Sequence, residues 1–305
     1  MAISTVRVQI NGTWTTLTYN ATSGAYEATI TAPSTTSFNL TGKYYPVTVE
    51  ATNTVGTKTT ATDQTATIGN SLKLRVQERV KPVVTVVSPT SGARVTNNKQ
   101  PIVFTAVDET NGSGIDDNNT IVYLDDREQT AATLEKTTIT GGYRYTFIPG
   151  TVLSDGDHRF SVTVQDFDGN VSTLASIVFT VDTVAPTLNI TSPTEGSATS
   201  ATSVVVAGTT NDTTSSPVTL TMALDSGSAQ AVTVGSNGAF TKTFTGLSHG
   251  SHKVVIVAKD AAGKTTTITR NFTVDTSVPV ISSVTITPNP LDAGTTMTIK
   301  VVVTG

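Results

Sequence analysis

One kind of phrase returns three times in this chain and constrains its fold more than any other feature. It reads "VQERVKPVVTVVSPTSG" at 76–92, "TVDTVAPTLNITSPTEG" at 180–196 and "TVDTSVPVISSVTITPNP" at 273–290. In each copy an alternating segment leads through a proline into another alternating segment. The junction prolines Pro82, Pro186 and Pro279 are about a hundred residues apart. That period is the length of a whole domain and is too long for a solenoid unit.

Within each repeat the pattern predicts short antiparallel strands. In "RFSVTVQD", Phe160, Val162 and Val164 alternate with polar residues, so they should share one face of a strand. Turn residues recur every 8 to 12 positions, as in β-sandwiches. No window keeps a helical apolar period, and we expect almost no helix.

The later repeats match each other closely. "DGDHRFSVTVQDFDG" (155–169) aligns with "HGSHKVVIVAKDAAG" (249–263) at Gly, His, Asp and Gly. This motif, with a terminal "VDTxxP", resembles the immunoglobulin-like (Ig-like) repeats found in tandem on bacterial surface proteins and in phage virion proteins. The resemblance implies an all-β chain of three tandem sandwiches in an extended rod, with a two-strand tail. The chain has no cysteine, so antibody-type disulfide domains are not implied.

Alignment of the repeats predicts four segments. Residues 1–81 form an Ig-like domain that lacks its first two strands, 82–185 and 186–278 form complete domains, and 279–305 form a partial unit of two strands. One end therefore has the two strands that the other end lacks. The two strands of the tail could therefore complete the sheet of the first domain, most simply between two copies of the chain arranged head to tail. The alternatives are a shorter variant sandwich, and a tail that docks elsewhere or belongs to a longer chain.

Composition and motifs exclude several functions. The net charge is −4 and basic residues do not cluster, so we predict no nucleic-acid binding. No segment is apolar enough to insert into a membrane. Neither a nucleophile–histidine–carboxylate pattern nor an HExxH motif is present, so we predict no enzyme activity. The start "MAISTVRV" has no secretion signal and enters a strand at once.

Acidic loops supply the candidates for a metal site, although the main expectation is that no cofactor is bound. The Ca²⁺ candidates are Asp108, Asp116, Asp166, Asp168 and Asp182, which lie in loops or at a junction. Asp and Asn in turns also bond their own backbone without a metal, which is the alternative. His158 and His252 recur at one position where the first repeat has Tyr45, and we assign them a structural role.

Two regions are candidate interfaces. Asn11-Gly12 should close a hairpin in which Gln9 faces Trp14, and this places Trp14, the only tryptophan, on the outer face. An exposed Trp can anchor a partner, or a neighbouring loop can cover it. In the tail, the candidate interface residues are Val284, Ile286, Met297, Ile299 and Val301.

These features predict a structural, adhesive protein. The main hypothesis is a phage or phage-derived virion protein, because the repeats are of an exterior type and the start lacks a secretion signal. The alternatives are a fragment of a secreted bacterial surface adhesin or S-layer-like stalk, and an accessory module of a carbohydrate-active enzyme. Expected partners are other virion or surface subunits, further copies of the chain, and a host surface glycan.

Overall fold

The computed structural model describes residues 2–130 and 133–305. Its regular structure is β-strand, apart from two short 3-10 turns at Thr41–Lys43 and Gly69–Leu72. Within the described ranges, no helix has the length and apolar character needed to cross a membrane. The chain packs as two compact units: Met1–Ala93 with Lys99–Phe179, and Arg94–Asn98 with Thr180–Gly305. The predicted all-β fold is confirmed.

The first domain forms one sheet. Its strands are β1 (Ile3–Ile10), β2 (Thr13–Asn20), β3 (Ala25–Glu27), β4 (Tyr45–Asn53), β5 (Lys58–Ala61) and β6 (Lys73–Leu74). They lie in the order β3-β2-β1-β4-β5, and β6 pairs with β4. Asn11 and Gly12 both have positive φ, as a two-residue hairpin turn requires. The predicted register is confirmed, with Gln9 opposite Trp14.

The second domain is a two-sheet sandwich. Its strands are β7 (Val83–Ser88), β8 (Arg94–Val95), β9 (Ile102–Val107), β10 (Ile115–Leu124), β11 (Arg127–Glu128), β12 (Thr133–Ile139), β13 (Gly142–Ile148), β14 (Gly156–Asp166) and β15 (Ala175–Val181). One sheet has the order β12-β13-β9-β7 and the other β11-β10-β14-β15-β8. The division between the compact units falls within β15, and β8 pairs with the end of β15 that lies in the second unit. Between the sheets lie stacked rings such as Phe104 and Tyr145, whose centroids are 4.9 Å apart.

The third domain repeats this plan. Its strands are β16 (Thr187–Ser192), β17 (Ser197–Thr199), β18 (Ser203–Asn211), β19 (Thr219–Leu224), β20 (Gln230–Val232), β21 (Ala239–Thr245), β22 (Gly250–Lys259) and β23 (Thr265–Val274). The sheets are β16-β18-β21 and β17-β23-β22-β19-β20. Val206, Met222, Val254 and Ile256 are fully buried in its core. The tail is a hairpin of β24 (Val280–Thr287) and β25 (Thr298–Thr304).

The predicted core positions hold in the two sandwiches but only partly in the first domain. Val162, Val164, Val254 and Ile256 are fully buried, as the alternation predicts. Val47 and Val49 of β4 are only half-buried. The described strands of the first domain form a single sheet, so β4 lacks the second layer that covers its counterparts. The four-segment division at the junction prolines stays a prediction.

Candidate cation-binding clusters

Three aspartates from distant parts of the sequence meet in the second unit, and we call them the second cluster: Asp182, Asp212 and Asp260. One carboxylate oxygen from each lies within 4.8 Å of those of the other two. Asp182 follows β15, Asp212 follows β18 and Asp260 follows β22. Their exposed fractions are 0%, 7% and 4%. The fold therefore buries three acidic groups at one point.

Each aspartate directs one oxygen to its own loop. Asp182 Oδ1 accepts the N–H of Val184 at 3.1 Å. Asp260 Oδ1 accepts the N–H of Lys264 at 2.9 Å and thereby closes the turn after β22. Asp212 Oδ1 accepts two backbone N–H groups from its loop, at 2.7 and 2.8 Å. These bonds fix the loops and orient the remaining oxygens.

Several of the remaining oxygens have no partner. Asp182 Oδ2 and Asp260 Oδ2 are buried without a hydrogen bond, and so is the hydroxyl of Ser215 on the Asp212 loop. Among the described residues, no Lys, Arg or His forms an ion pair with any of the three aspartates. Burying a carboxylate without a partner is costly, and burying several together adds mutual repulsion. The described protein groups therefore leave the negative charge of the second cluster without a compensating partner.

The first unit contains an equivalent group, the first cluster: Glu78, Asp108, Glu109 and Asp166. Oxygens of Glu78, Asp108 and Glu109 lie within 4.8 Å of one another. Asp108 Oδ1 and Glu109 Oε2 are buried without a hydrogen bond. Asp108 Oδ2 accepts the N–H of Gly114 at 2.6 Å. The backbone at Gly112 lies so close to the Asp108 carboxylate that a Cβ at this position would be only 2.5 Å from Oδ2.

Burial and the neighbouring carboxyl groups disfavour the charged forms of Glu78 and Glu109. Burial first, and then the hydrogen bond with Asp166, raises the pKa of Glu78 to about 7. Burial, followed by the hydrogen bond with Asp108, also raises the pKa of Glu109. In the protein alone, therefore, charge on this group of carboxylates is destabilising.

The two clusters occupy matching positions of the repeat. Glu78 and Asp182 each stand four residues before a junction proline, and Asp108 and Asp212 each stand 26 residues after it. Asp166 is the last residue of β14 and Asp260 directly follows the equivalent strand β22, and each Oδ1 accepts the N–H of the residue four positions on. In the first domain Asn53 closes the same turn by accepting the N–H of Thr57 at 2.9 Å. The Asn53 amide makes the same turn contact as Asp166 and Asp260 but carries no negative charge.

Of the five predicted calcium ligands, three lie in the two clusters and two lie outside them. Asp108 and Asp166 lie in the first cluster and Asp182 in the second. Asp116 instead accepts hydrogen bonds from Asn118 and Asn119. Asp168 joins the first domain to the second: its carboxylate accepts the Thr36 hydroxyl and the N–H of Glu78. Glu78, Asp212 and Asp260 are not among the predicted ligands. Glu78 and Asp212 nevertheless share the junction-proline offsets of Asp182 and Asp108, and Asp260 aligns with Asp166 in the matched segments 249–263 and 155–169.

The chemistry of both clusters fits a calcium ion. Ca²⁺ binds six to eight oxygen ligands at roughly 2.3–2.6 Å, so ligands on opposite sides are about 5 Å apart. The 4.8 Å limit on the oxygen separations is compatible with one shared ion. A divalent cation would also offset the repulsion among the carboxylates. The residues that would hold it are Asp182, Asp212 and Asp260 in one cluster, and Glu78, Asp108 and Glu109 in the other.

The recurring histidines make the same contacts in both sandwiches. His158 lies between Asp125 Oδ2 and the carbonyl of Ser154, both at 2.8 Å. His252 lies between Asp225 Oδ2 and the carbonyl of Ser248, both at 2.9 Å. Each ring also packs near a phenylalanine of the next strand, Phe179 or Phe272. The imidazole thus connects two turns at one end of each sandwich.

These contacts predict a pH dependence. Burial lowers the pKa of His158, but the Ser154 carbonyl and Asp125 outweigh it and the pKa is raised. For His252, the Ser248 carbonyl and then Asp225 raise the pKa. When folding raises the pKa of a histidine, the protonated form stabilises the folded state. This stabilisation is fully present below the pKa of the unfolded state and is lost as the pH rises through the pKa of the folded state. We therefore expect the unfolding free energy of the third domain to decline as the pH rises above about 6.5, the ordinary pKa of histidine.

Asp225→Asn should flatten that change in a denaturant titration at several pH values, because the amide keeps the shape without the charge. Asp292→Asn, which alters an exposed carboxylate in the tail, is the matched control. An equally steep decline in Asp225→Asn would show that the Asp225–His252 pair does not cause it.

Trp14 lies on the outer face of the first sheet, as predicted. It is 38% exposed, and the Arg7 guanidinium lies 4.2 Å from its ring centroid. Arg7 also donates to Glu50 at 2.8 Å. Its role as an interface anchor stays a prediction.

Two family models match successive parts of the chain. The model described as "Bacterial Ig-like domain" matches residues 87–183, and the model described as "Glucodextranase, domain B" matches residues 186–276. These matches support a tandem Ig-like repeat protein. The matched segments cover most of the second domain, from residue 87 onward, and the strands of the third domain.

The chain is also similar to parts of individual proteins. Halomucin of Haloquadratum walsbyi is 32% identical over 160 residues, which is 50% of this chain and 2% of halomucin. Fibronectin(III)-like modules of Clostridium thermocellum CbhA are 19% identical over 63% of this chain and 94% of that chain, with a TM-score of 0.38. A tetra-tandem repeat from the extending region of a large adhesion protein is 18% identical over 99% of this chain and 80% of that chain, with a TM-score of 0.33.

Proposed function

We propose that this chain is a non-catalytic structural segment of a cell-surface protein and that Ca²⁺ ions hold together the loops where its Ig-like repeats begin. The observation that carries the calcium part is the second cluster, with three buried aspartates and two unpartnered carboxylate oxygens. The matches to the bacterial Ig-like model and to halomucin support a surface protein. The virion role predicted from the sequence receives no support from the comparisons.

A cation at the second cluster would act by joining three loops. Asp182 lies in the segment that enters the third domain, while Asp212 and Asp260 lie in loops of that domain. A shared ion would hold the entering segment against both loops and limit its motion. The same logic applies to Glu78, which enters the second domain beside Asp108 and Glu109. In a repeat protein that is under mechanical force, an ion bound at each cluster would make the start of each repeat more rigid.

Hydrogen–deuterium exchange of the full chain tests this proposal. Peptides covering 182–186, 212–215 and 260–264 should exchange more slowly in calcium than in chelator, because the ion restrains all three loops together. The turn at 225–227 serves as an internal control and should not change. Magnesium should protect less, since it requires a stricter geometry and loses its water reluctantly. Equal exchange of the cluster peptides in calcium and chelator would contradict the calcium role.

A second candidate function follows from the other family match. The model that matches residues 186–276 is named after one domain of an enzyme, a glucodextranase. These residues are therefore also compatible with an accessory module of a carbohydrate-active enzyme. The two candidates differ in what the complete gene encodes. A carbohydrate-active catalytic domain in the same reading frame would favour the accessory module, and further Ig-like repeats would favour the surface stalk.

A further inference from the structure

We propose that a basic cleft between the first and second domains binds an acidic polysaccharide, whose carboxylate or sulfate groups pair with Lys43, Arg75 and Arg79. The cleft lies within one compact unit of the chain, Met1–Ala93 with Lys99–Phe179. The proposal goes beyond the structural role stated above and depends on neither acidic cluster. It gives a location to the glycan partner expected from the sequence.

Three parts of this unit form the walls of the cleft. The loop between β3 and β4 contributes Phe38 and Lys43, the segment after β6 contributes residues 75–77 and 79, and the turn after β14 contributes Phe167 and Asp168. The cavity has a volume of about 800 Å³. Sites for small ligands usually enclose roughly 300–1,000 Å³. The cleft is therefore large enough for part of a sugar chain.

Contacts within the protein fix these walls. Ser37, which is 4% exposed, donates its N–H to the Val76 carbonyl at 2.8 Å, and its hydroxyl accepts the Val76 N–H at 3.1 Å. The rings of Phe38 and Phe167 stack with centroids 4.5 Å apart and planes 10° from parallel. The first contact joins the loop to the segment after β6, and the second joins the loop to the turn after β14. The cleft is therefore already formed in the free chain.

Three cations and one carboxylate line the cleft. Lys43, Arg75 and Arg79 are exposed, and among the residues that the structure describes none of them forms an ion pair. The carboxylate, Asp168, already accepts hydrogen bonds from two protein groups. The lining is thus net positive, although the whole chain carries a net charge of −4. Guanidinium groups bind carboxylates and similar oxyanions through two parallel hydrogen bonds.

The backbone holds Lys43 at the cleft in an uncommon conformation. Its φ is +58°, in the left-handed region that few residues other than glycine adopt. Lys43 Nζ lies 3.8 Å from the ring centroid of Phe38 and 6.0 Å from that of Phe167. Unfavourable backbone conformations of this kind cluster at binding sites. The fold thus keeps an ammonium group beside the aromatic pair.

The cleft suits a sugar chain better than an acidic peptide. The Phe167 side chain is 46% exposed, and its ring offers an apolar surface to the C–H face of a sugar. An extended peptide would bind most simply by adding a strand along the segment after β6. The N–H and carbonyl of Val76 in that segment are already paired with Ser37. An acidic polysaccharide matches both the charge and the exposed ring without requiring those backbone groups.

Calorimetric titration of the full chain at low, fixed ionic strength tests the proposal. The acidic probes are hyaluronate oligosaccharides, which carry carboxylates, and dextran sulfate of similar length. Carboxyl-reduced hyaluronate and plain dextran are their neutral counterparts. At least one acidic probe should bind while its neutral counterpart does not, and the probe that binds identifies the anionic group. Replacing both arginines, Arg75→Gln with Arg79→Gln, should raise the dissociation constant about tenfold or more.

The matched control, Arg144→Gln with Arg159→Gln, removes the same charge from exposed positions outside the cleft and should leave binding unchanged. Lys43→Gln, which alters the opposite wall, should weaken binding independently of the arginines. Failure of both acidic probes to bind would overturn the proposal, and so would an equal loss of affinity in the control pair. Poly-glutamate that binds as tightly through the same arginines would also overturn it, because the cleft would then be a site for acidic peptides.

Discussion

Removing calcium should lower the melting temperature of the third domain by roughly 10–20 °C. A ligand that binds only the folded state at a hundred times its dissociation constant stabilises by about 2.7 kcal/mol. For a domain of this size, each kcal/mol corresponds to about 4–8 °C. Scanning calorimetry of the full chain, in calcium and then in excess chelator, measures the shift. A melting temperature that is the same in both conditions would contradict a folded-state calcium site.

Asp260→Asn tests whether the second cluster causes the shift. In calcium the variant should melt below the wild type, because a charged ligand is lost. In chelator it should melt no lower than the wild type, because removing one of three buried like charges relieves repulsion. Asp292→Asn is the charge-matched control outside both clusters. A variant that is equally destabilised in both conditions would show that Asp260 acts only through its turn.

Truncation of Phe160 should lower the unfolding free energy of the second domain by about 3–5 kcal/mol. Phe160 is 0% exposed, and its ring centroid lies 5.9 Å from that of Phe104 and 5.6 Å from that of Phe147. Phe160→Ala would therefore leave a cavity between the two sheets. Chemical denaturation followed by circular dichroism measures the loss.

Thr163→Ala is the matched control, because Thr163 points away from this core on the same strand. It should change the unfolding free energy by no more than about 0.5 kcal/mol. Comparable losses for both variants would mean that β14 presents a different face to the core than the one described.

Local patterns in the sequence were sufficient to predict the strands. The alternation in 159–166 predicted the buried face of β14, and Asn11-Gly12 predicted the hairpin and its register. Both signals depend on neighbouring residues and on the fixed two-residue period of a strand. The same alternation overestimated the burial of Val47 and Val49. Burial requires a second sheet, and the pattern within one strand does not reveal whether that sheet is present.

The clusters were harder to predict, because they depend on contacts between distant residues. The candidate ligands came from acid-rich stretches, and this brought in Asp116 and Asp168, whose carboxylates accept hydrogen bonds from other protein groups. Asp212 stands among Thr and Asn, and Asp260 among Ala and Lys, so local acidity does not mark them. Asp212 has the same offset from its junction proline as Asp108, and Asp260 aligns with Asp166 in the matched segments 249–263 and 155–169, so comparing the repeats identifies both. Their convergence is a property of the sandwich fold.

The number of calcium ions bound to the protein shows whether the two clusters are calcium sites. The full chain is equilibrated in calcium, separated from free ions, and assayed for metal and protein together. Each wild-type chain should retain two tightly held ions and each Asp260→Asn chain one, while Asp292→Asn should retain two. A wild-type chain that retains no calcium, or an Asp260→Asn variant that retains as much as the wild type, would contradict this assignment.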